Sequence, residues 1–459
     1  MSQPSAASIT ARLDRLPSSR HVWKIIILLS LGGCFEFYDL FFTAYVAPGL
    51  TAGGMFSTTT VNFFGFSGFA SFVAALFAGL FVGTLVFGFV ADRFGRRAIF
   101  TFSLLWYTAG TVVMAFQDTA QSIDLWRFIA AIGIGVELVT IDTYISELTP
   151  KHLRGRAFAF NQFITFLVVP VVAYLSYKLV PIAPLGLDGW RWVVLIGSVG
   201  AVFVWWIRLA IPESPRWLIQ QGRLAEADRI TTAIETAVAA ETGPLPPPAS
   251  SVQQIERPGG FLEIWQPPYR GRTLLMSFYN LFQAIGYYGF ASWVPTLIIA
   301  KGIHVTTSLE YAFIIAIANP IGPLLGILVA DRIERKWQIV IAAALVAVLG
   351  VLFSLPSSDM LLILCGVLLT MANNWMSFAY HSYQAELFPT RVRARAVGFV
   401  YSWSRFSVIF SGFIIAFFLR NSGVTGVFLF IAFCMLMVVL LIGIFGPRTR
   451  NLALEEISR

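Results

Sequence analysis

The stretch ELTPKHLRGRAFAF, residues 147–160, returns later in the chain as ELFPTRVRARAVGF, residues 386–399. The two copies lie 239 residues apart, and the same offset relates DRFGRRAIF, residues 92–100, to DRIERKWQI, residues 331–339. Two unrelated words that recur at one offset are hard to obtain by chance. The repeats therefore predict a duplicated chain whose halves share one orientation, an arrangement that places a binding site between the halves.

A third repeated word contains an acid that the fold does not require. FYDLF, residues 37–41, returns as FYNLF, residues 278–282, at an offset of 241. The second copy has an amide where the first has Asp39. Because the duplicated helix manages without a carboxylate there, Asp39 is interpreted as a functional residue and not as part of the scaffold.

The composition indicates a membrane protein that crosses the bilayer many times. The 459 residues are 57% hydrophobic and only 12% charged, with a mean hydropathy of +0.75, whereas soluble domains carry about 25% charged residues. The net charge of +8 does not predict nucleic-acid binding, because the basic residues do not lie on one soluble face. Cys34, Cys365 and Cys434 lie in apolar runs without ligand spacing, so neither a disulfide nor a metal or other cofactor is expected.

Apolar segments long enough to cross a bilayer, about 20 residues each, number twelve along the chain. They are 23–48, 66–91, 98–117, 122–146, 157–180, 190–211, 272–299, 306–331, 337–355, 359–385, 396–420 and 423–446. The predicted fold is an all-α membrane protein with twelve transmembrane helices in two pseudo-symmetric six-helix bundles. Its predicted parts are a tail (1–22), an N-terminal bundle (23–211), a loop with short helices (212–271), a C-terminal bundle (272–446) and a second tail (447–459).

The distribution of basic residues predicts that both termini are cytoplasmic. With that orientation the inner segments hold 25 of the 32 Lys and Arg residues, and the outer segments hold four. Cytoplasmic loops are the ones enriched in Lys and Arg. The first twenty residues contain no apolar core, so no cleaved signal peptide is expected. The predicted location is a cell (inner) membrane.

Four stretches resemble the major facilitator superfamily. GFVADRFGRR (88–97) is similar to its signature loop between spans two and three, and three further words resemble its sugar-porter and organic-ion branches. These words are SELTPKHLRGRAFAFNQF (146–163), PESPRWL (212–218) and GPRTRNLALEEIS (446–458). The resemblance implies a twelve-helix secondary transporter that works by alternating access, with a small molecule, protons and the lipid bilayer as partners and a monomeric state.

Charged residues in the repeated loops are predicted to act as cytoplasmic gates. Opposite charges at helix ends can hold neighbouring helices in one state and release them in another. Retention of the loops inside the cell would need only the arginines, and the accompanying acids therefore favour gating. The predicted gating residues are Asp92, Arg93, Arg96, Arg97, Glu147, Arg154, Arg156, Asp331, Arg332, Arg335, Glu386, Arg393 and Arg395.

Asp39, Glu36 and Arg127 are the predicted proton-coupling residues. A carboxyl group whose surroundings alternate between apolar and cationic can take up a proton on one side and release it on the other. In sugar porters an Asp in a GG…YD word of span one pairs with an Arg of span four, and GGCFEFYD (32–39) matches that word here. A static ion pair between Asp39 and Arg127 is the alternative. Aromatic-acid symporters carry an acidic pair three residues apart in span one, and Glu36 with Asp39 has this spacing. Two neighbouring carboxylates are expected to share a proton.

Arg405 is the predicted binder of an anionic substrate, since its planar guanidinium suits a carboxylate. Its alternative role is to pair with Glu137 or another buried acid. Counted by the helical rise, several further polar or aromatic residues lie near the middle of the bilayer, as pocket residues or as contacts between helices. The full predicted substrate set is Arg405, Gln283, Gln162, Asn280, Asn373, Asn374, Trp375, Tyr287, Tyr288, Glu137 and His381.

The sequence of span ten favours an organic anion over a sugar as the substrate. Sugar porters have a GPxxW word in span ten, and the corresponding stretch here is NNWMSFAYHSYQAEL (373–387). Proton-driven uptake of an aromatic or other carboxylate is therefore the first hypothesis, uptake of a sugar or polyol the second, and a facilitator or exporter the third. An intramembrane enzyme is not expected, because HExxH and GxSxG words are absent and only four histidines are present.

Overall fold

The computed structural model describes residues 5–56, 68–87, 94–248, 261–330, 333–355, 358–388 and 390–449. Regular secondary structure over these ranges is entirely helical. Eight of the helices are long and apolar enough to cross a membrane. The predicted class, an all-α membrane protein, is confirmed.

The helices of the first half follow the predicted spans closely, with short helices before and after them. They are α1 (Ala6–Asp14), α2 (Arg20–Ala52), α3 (Gly68–Phe87), α4 (Arg96–Ala115), α5 (Ala120–Leu148), α6 (Arg154–Phe166), α7 (Val168–Leu179), α8 (Gly189–Leu209), α9 (Pro215–Gln220) and α10 (Leu224–Thr242).

The second half repeats this order. Its helices are α11 (Tyr269–Ala291), α12 (Val294–Ala300), α13 (Val305–Ala316), α14 (Ala318–Ala330), α15 (Arg335–Ser354), α16 (Asp359–Glu386) and α17 (Thr390–Leu440), followed by a π-helical turn over Leu441–Phe445. Gly423 in α17 has a φ of 64°, which is not helical. Two helical segments therefore join directly at this glycine, without a separate loop between them.

Three predicted spans are each divided into two helices, and a proline accounts for every division. Proline lacks the N–H that would bond to the carbonyl four residues earlier, and its ring clashes with that carbonyl. Helices α6, α11 and α13 end at Phe166, Ala291 and Ala316. Each end lies four residues before a proline, and these prolines are Pro170, Pro295 and Pro320.

Helix α5 packs backbone against backbone on both α3 and α4, which glycines permit. A Cβ atom built at Gly135 would lie 2.5 Å from the Leu80 carbonyl oxygen, and one at Gly133 would lie 2.9 Å from the Ser103 carbonyl oxygen. The IGIG word at 132–135 therefore serves helix packing.

The outward faces of the helices are apolar, as a lipid environment requires. On α4, Phe102, Leu105 and Trp106 are 56%, 51% and 41% exposed. Contiguous exposure of large apolar side chains is rare on soluble monomers.

The two halves meet along aromatic contacts. Phe77 of α3 stacks edge-on against Tyr288 of α11, with 4.6 Å between ring centroids. Tyr174 of α7 lies 5.4 Å from Phe313 of α13. These contacts bring α2, α6, α11, α16 and α17 around one central cavity.

Candidate functional site

Asp39 and Arg127 form a sealed ion pair between α2 and α5. The Arg127 Nη1 atom donates to Asp39 Oδ2 at 2.7 Å, and Arg127 is 0% and Asp39 3% exposed. Arg127 Nη2 donates to the Asp39 carbonyl oxygen at 2.7 Å and to Thr43 Oγ1 at 2.6 Å. Thr111 Oγ1 donates to Asp39 Oδ1 at 3.1 Å. The carboxylate is thus held by one cation and one hydroxyl, away from the cavity.

The central cavity has a volume of about 90 Å³ and is lined by both halves of the chain. Glu36 is the acid on its wall, although its side chain is almost fully buried. Of the residues predicted to bind substrate or protons, those that line the cavity are Glu36, Gln162, Gln283, Tyr287, Tyr288, His381 and Arg405.

Arg405 lies in the cavity wall with only phenol hydroxyls as side-chain acceptors. Its Nη1 atom donates to the Tyr288 hydroxyl at 3.0 Å and its Nη2 atom to the Tyr401 hydroxyl at 2.9 Å. Arg405 is 4% exposed, and within the described ranges no carboxylate forms an ion pair with it. The alternative that Arg405 pairs with Glu137 is therefore wrong. The arrangement leaves a buried cation facing a cavity that is large enough for a small anion.

His381 is fixed beside this arginine. One ring nitrogen, Nδ1, lies 2.7 Å from the Ser377 carbonyl oxygen, and Nε2 lies 3.2 Å from the Tyr380 hydroxyl. A short Nδ1 contact to a carbonyl indicates that Nδ1 carries a proton, which leaves Nε2 to accept from the tyrosine.

A smaller cavity, about 20 Å³, lies next to the first and shares Phe41 and Tyr287 with it. Asn373 and Asn374 line this second cavity. The Tyr287 hydroxyl donates to Asn374 Oδ1 at 3.1 Å, and Asn374 Nδ2 donates to the Asn319 carbonyl oxygen at 3.1 Å. The tyrosine therefore stands between the two cavities and is held by an amide network.

Three predicted substrate residues lie away from both cavities. Asn280 donates to Gln384 Oε1 at 3.4 Å inside the second half, and Trp375 donates to Gln338 Oε1 at 3.2 Å. Glu137 is 0% exposed and lies behind the cavity wall. These corrections share one cause: helical rise gives depth in the bilayer, but a helix that is apolar all round does not reveal which face turns inward.

The repeated loop words form equivalent ion pairs in the two halves. Arg96 Nη2 lies 3.0 Å from Glu147 Oε1, and Arg335 is in contact with Glu386. Arg335 follows Arg96 by 239 residues, and Glu386 follows Glu147 by the same number. The internal duplication is thus preserved in side-chain contacts as well as in the sequence.

The remaining predicted gating residues have varied positions. Arg97 is half-buried, and its backbone N–H donates to the Glu213 carboxylate at 3.3 Å. Arg154 pairs with Asp14 at 3.7 Å and not with Glu147. Arg156 and Arg395 are exposed. Asp92, Arg93, Asp331 and Arg332 lie outside the described residues, as does the side chain of Arg393.

An N-terminal helix that the sequence did not predict joins these loops. Arg12 of α1 lies 2.5 Å from both Asp228 and Glu235 of α10. Asp14 accepts from Arg216 at 2.7 Å. Arg216 also donates to the Glu147 carbonyl oxygen at 3.0 Å. Helix α1 is therefore connected through Asp14 to the buried Arg96–Glu147 pair.

Sequence reasoning missed several residues of the cavity wall. They are Asn161, Ser377, Tyr380, Tyr401 and Ser404, with Asn319 in the second cavity. Tyr401 precedes Arg405 by one helical turn, a spacing at which side chains on a helix meet, and that signal could have found it.

The helical fold with a buried polar centre defines the class, a multi-pass membrane transporter, and comparison with known proteins gives its family. A family model described as "Sugar (and other) transporter" matches residues 25–459. The chain belongs to this family of the major facilitator superfamily, and the predicted multi-pass membrane location is confirmed.

Individual relatives span the full length of the chain. YyaJ of Bacillus subtilis, named provisionally for metabolite transport, is 31% identical over 440 residues, 95% of each chain. The niacin transporter NiaP of Acinetobacter baylyi is 26% identical, over 98% of this chain and 99% of its own. The solved xylose transporter XylE from Escherichia coli, partially occluded and inward-open, superimposes with a TM-score of 0.75 at 21% identity. That match covers 95% of this chain and 100% of XylE, and it concerns the fold alone.

Proposed function

We propose that this transporter is a proton-coupled symporter that brings a small organic anion, an aromatic or other carboxylate, into the cell. The twelve spans would form two six-helix bundles, 23–211 and 272–446, with both termini in the cytoplasm. Movement of the bundles would open the central cavity first to one side of the membrane and then to the other. The protein would act as a monomer in the inner membrane.

The observation that carries the proposal is the environment of Arg405. A guanidinium at this depth is costly unless it meets an anion, and the described residues supply it with two phenol hydroxyls and no carboxylate. A substrate carboxylate would complete the charge balance with two parallel hydrogen bonds. One relative is named as a niacin transporter, and niacin is a pyridine carboxylate.

Proton coupling would depend on Asp39 and Glu36. The contact between Asp39 and Arg127 stabilises the ionised carboxylate in the present state. Movement of α5 against α2 would separate the two charges and make protonation of Asp39 favourable. Substrate binding and proton binding would then favour the same state, which is what coupling requires.

Uptake into proteoliposomes under an imposed inward proton gradient tests the proposal. Nicotinate and benzoate serve as carboxylate probes, and arabinose and xylose serve as neutral probes. We expect accumulation of a carboxylate that collapses when the gradient is dissipated. Gradient-driven accumulation of the sugars alone would refute the assignment of an anionic substrate.

The variant Arg405→Lys sharpens this test. Lysine keeps the charge but loses the planar pair of donors, so we expect about a ten- to hundredfold weaker apparent affinity for the carboxylate, the range for hydrogen bonds to charged groups. Arg420→Lys is the matched control on the same helix, because Arg420 is exposed. Equal losses for carboxylate and neutral probes would make Arg405 a structural residue.

A proton-coupled sugar or polyol porter is the second candidate. Gln162 and Gln283 both line the cavity, and amide side chains both donate and accept hydrogen bonds as sugar hydroxyls require. A relative at 27% identity is named as an arabinose–proton symporter. The neutral probes in the uptake assay discriminate this candidate directly.

A further inference from the structure

Glu137 is a buried acid that the transport mechanism above does not use. It lies on α5, is 0% exposed, and neither carboxylate oxygen accepts a hydrogen bond from a described residue. Arg127, on the same helix, is ten residues away, which is about 15 Å along the axis. That arginine is already bound to Asp39, so it does not neutralise Glu137.

Two contacts place Glu137 level with Glu36. Gly33 of α2 lies beside Ile141 of α5, since a Cβ built on the glycine would be 3.7 Å from Ile141 Cδ1. Further along, Asp39 of α2 meets Arg127 of α5, so the two helices run antiparallel. Glu36 lies three residues beyond Gly33, and Glu137 four residues before Ile141. Both acids are therefore about one helical turn from the same contact.

Tyr107 of α4 completes the group. Its hydroxyl is buried and makes no hydrogen bond to a described residue. The charges that act on this hydroxyl are those of Glu137, Asp39 and Glu36. One phenol thus lies within electrostatic reach of Glu137, Asp39 and Glu36.

The other elements packed against α5 add no cation at this depth. Helix α3 has no titratable side chain over residues 68–87. On α6 the basic residues are Arg154 and Arg156, at its cytoplasmic beginning. Arg216 of α9 is engaged with Asp14 and the Glu147 carbonyl oxygen. Glu147 itself, at the end of α5, pairs with Arg96 of α4.

A carboxylate that is buried without a cation or hydrogen-bond donors takes up a proton instead of remaining charged. We propose that Glu137 is a second proton carrier, which holds a proton in this conformation and exchanges it with the cavity through Glu36. In that step the O–H bond of Glu137 breaks and an O–H bond forms on the Glu36 carboxylate. Glu36 then releases the proton to water in the cavity, since it lines the cavity and Glu137 does not.

Infrared difference spectroscopy of the reconstituted protein tests the protonation without any substrate. The spectrum of the wild type minus that of Glu137→Gln should contain the carbonyl-stretching band of a protonated carboxylic acid, shifted in heavy water. A difference that contains only ionised-carboxylate bands would overturn the proposal. Glu310→Gln is the control at an exposed glutamate, and Glu137→Asp, which retains an acid, should keep a protonated-acid band.

The carrier role has its own readout, which depends on the proposed symport. Proton influx per nicotinate, measured with a pH dye inside the liposomes, should fall in Glu137→Gln relative to wild type. If Glu137→Gln loses the protonated-acid band but keeps the wild-type number of protons per nicotinate, Glu137 holds its proton without exchanging it during transport. That result would overturn the carrier role. Gradient-driven accumulation of the sugars with neither carboxylate probe transported would refute the proposed function, while the infrared measurement would still decide the protonation of Glu137.

Discussion

Asp39 pairs with Arg127 away from the cavity, so its role can be separated from substrate binding. Asn in its place keeps the shape and the hydrogen bond from Thr111 but cannot carry a proton. We expect Asp39→Asn to abolish accumulation driven by a pH gradient, so that internal and external substrate concentrations become equal. Counterflow, which needs no net proton movement, should remain.

Asp118→Asn is the control for this prediction, because the Asp118 side chain is 84% exposed although it also pairs with an arginine, Arg191. Accumulation that survives in Asp39→Asn would show that the Asp39–Arg127 contact is a static ion pair between helices.

At the residue scale, a contact between residues of two recognised family words could be predicted. Other contacts between residues that are distant in sequence could not. The Asp39–Arg127 contact followed from the resemblance to sugar porters. The phenol partner of Arg405 from α11, Tyr288, is 117 residues away in sequence, and local pattern gives no information about such a pairing. Glu137 was predicted at the right depth but on the wrong face, because α5 offers little polar contrast around its circumference.

The duplicated ion pairs provide an internal control at the scale of helices. The first pair is more deeply buried: side-chain exposure is 6% for Arg96 and 11% for Glu147, against 30% for Arg335 and 22% for Glu386. Removing one partner of a buried pair costs about 3–5 kcal/mol, whereas surface pairs contribute about 0–1 kcal/mol. We therefore expect Glu147→Gln to lower the midpoint of thermal unfolding in detergent more than Glu386→Gln does. Equal shifts of the unfolding midpoint would mean that burial does not determine how strongly the two ion pairs stabilise the protein.

Helix α1 should detach when the medium around it is acidified. Burial raises the pKa of Glu235, but hydrogen bonds from Arg12 and Arg15 outweigh it, so the pKa of this carboxyl lies below its ordinary value. A depressed pKa stabilises the contact above the unfolded value, about 4.3, and that stability is lost as the pH falls through the folded value. A spin label at Ser8→Cys, an exposed position on α1, should gain mobility over that range.

In Glu235→Gln the same label should already be mobile at neutral pH. Glu226→Gln is the control, since Glu226 pairs with Arg223 on its own helix and not with α1. An immobile label in Glu235→Gln would mean that apolar contacts, such as that of Ile9 with Trp217, hold α1 without the ion pairs.

Hydropathy predicted where helices lie but not where they break. The segment 98–117 corresponds to Arg96–Ala115 within two residues, because a long apolar run in a membrane satisfies its backbone only as a helix. The segment 157–180 was predicted as one helix, although Pro170 divides it at Leu167. A rule based on prolines would have located that break and the two similar ones, but Pro48 and Pro323 lie inside α2 and α14 without ending them.

For the whole molecule, the proposed topology places all loops that contain the repeated words on one side of the membrane. Gly155 and Gly271 are suitable sites for single cysteines, because a Cβ at either position meets no atom within 4 Å. The proposal predicts that both positions react with a membrane-impermeant thiol reagent only in inside-out vesicles. Arg420, exposed on the opposite side in this topology, should give the reverse pattern when replaced by cysteine. The native Cys34, Cys365 and Cys434 are replaced by serine beforehand, to leave one reactive thiol per variant. Gly155 lies in the proposed N-terminal bundle and Gly271 directly precedes the C-terminal one, so their labelling from opposite sides would contradict a parallel duplication and, with it, a cavity shared by equivalent halves.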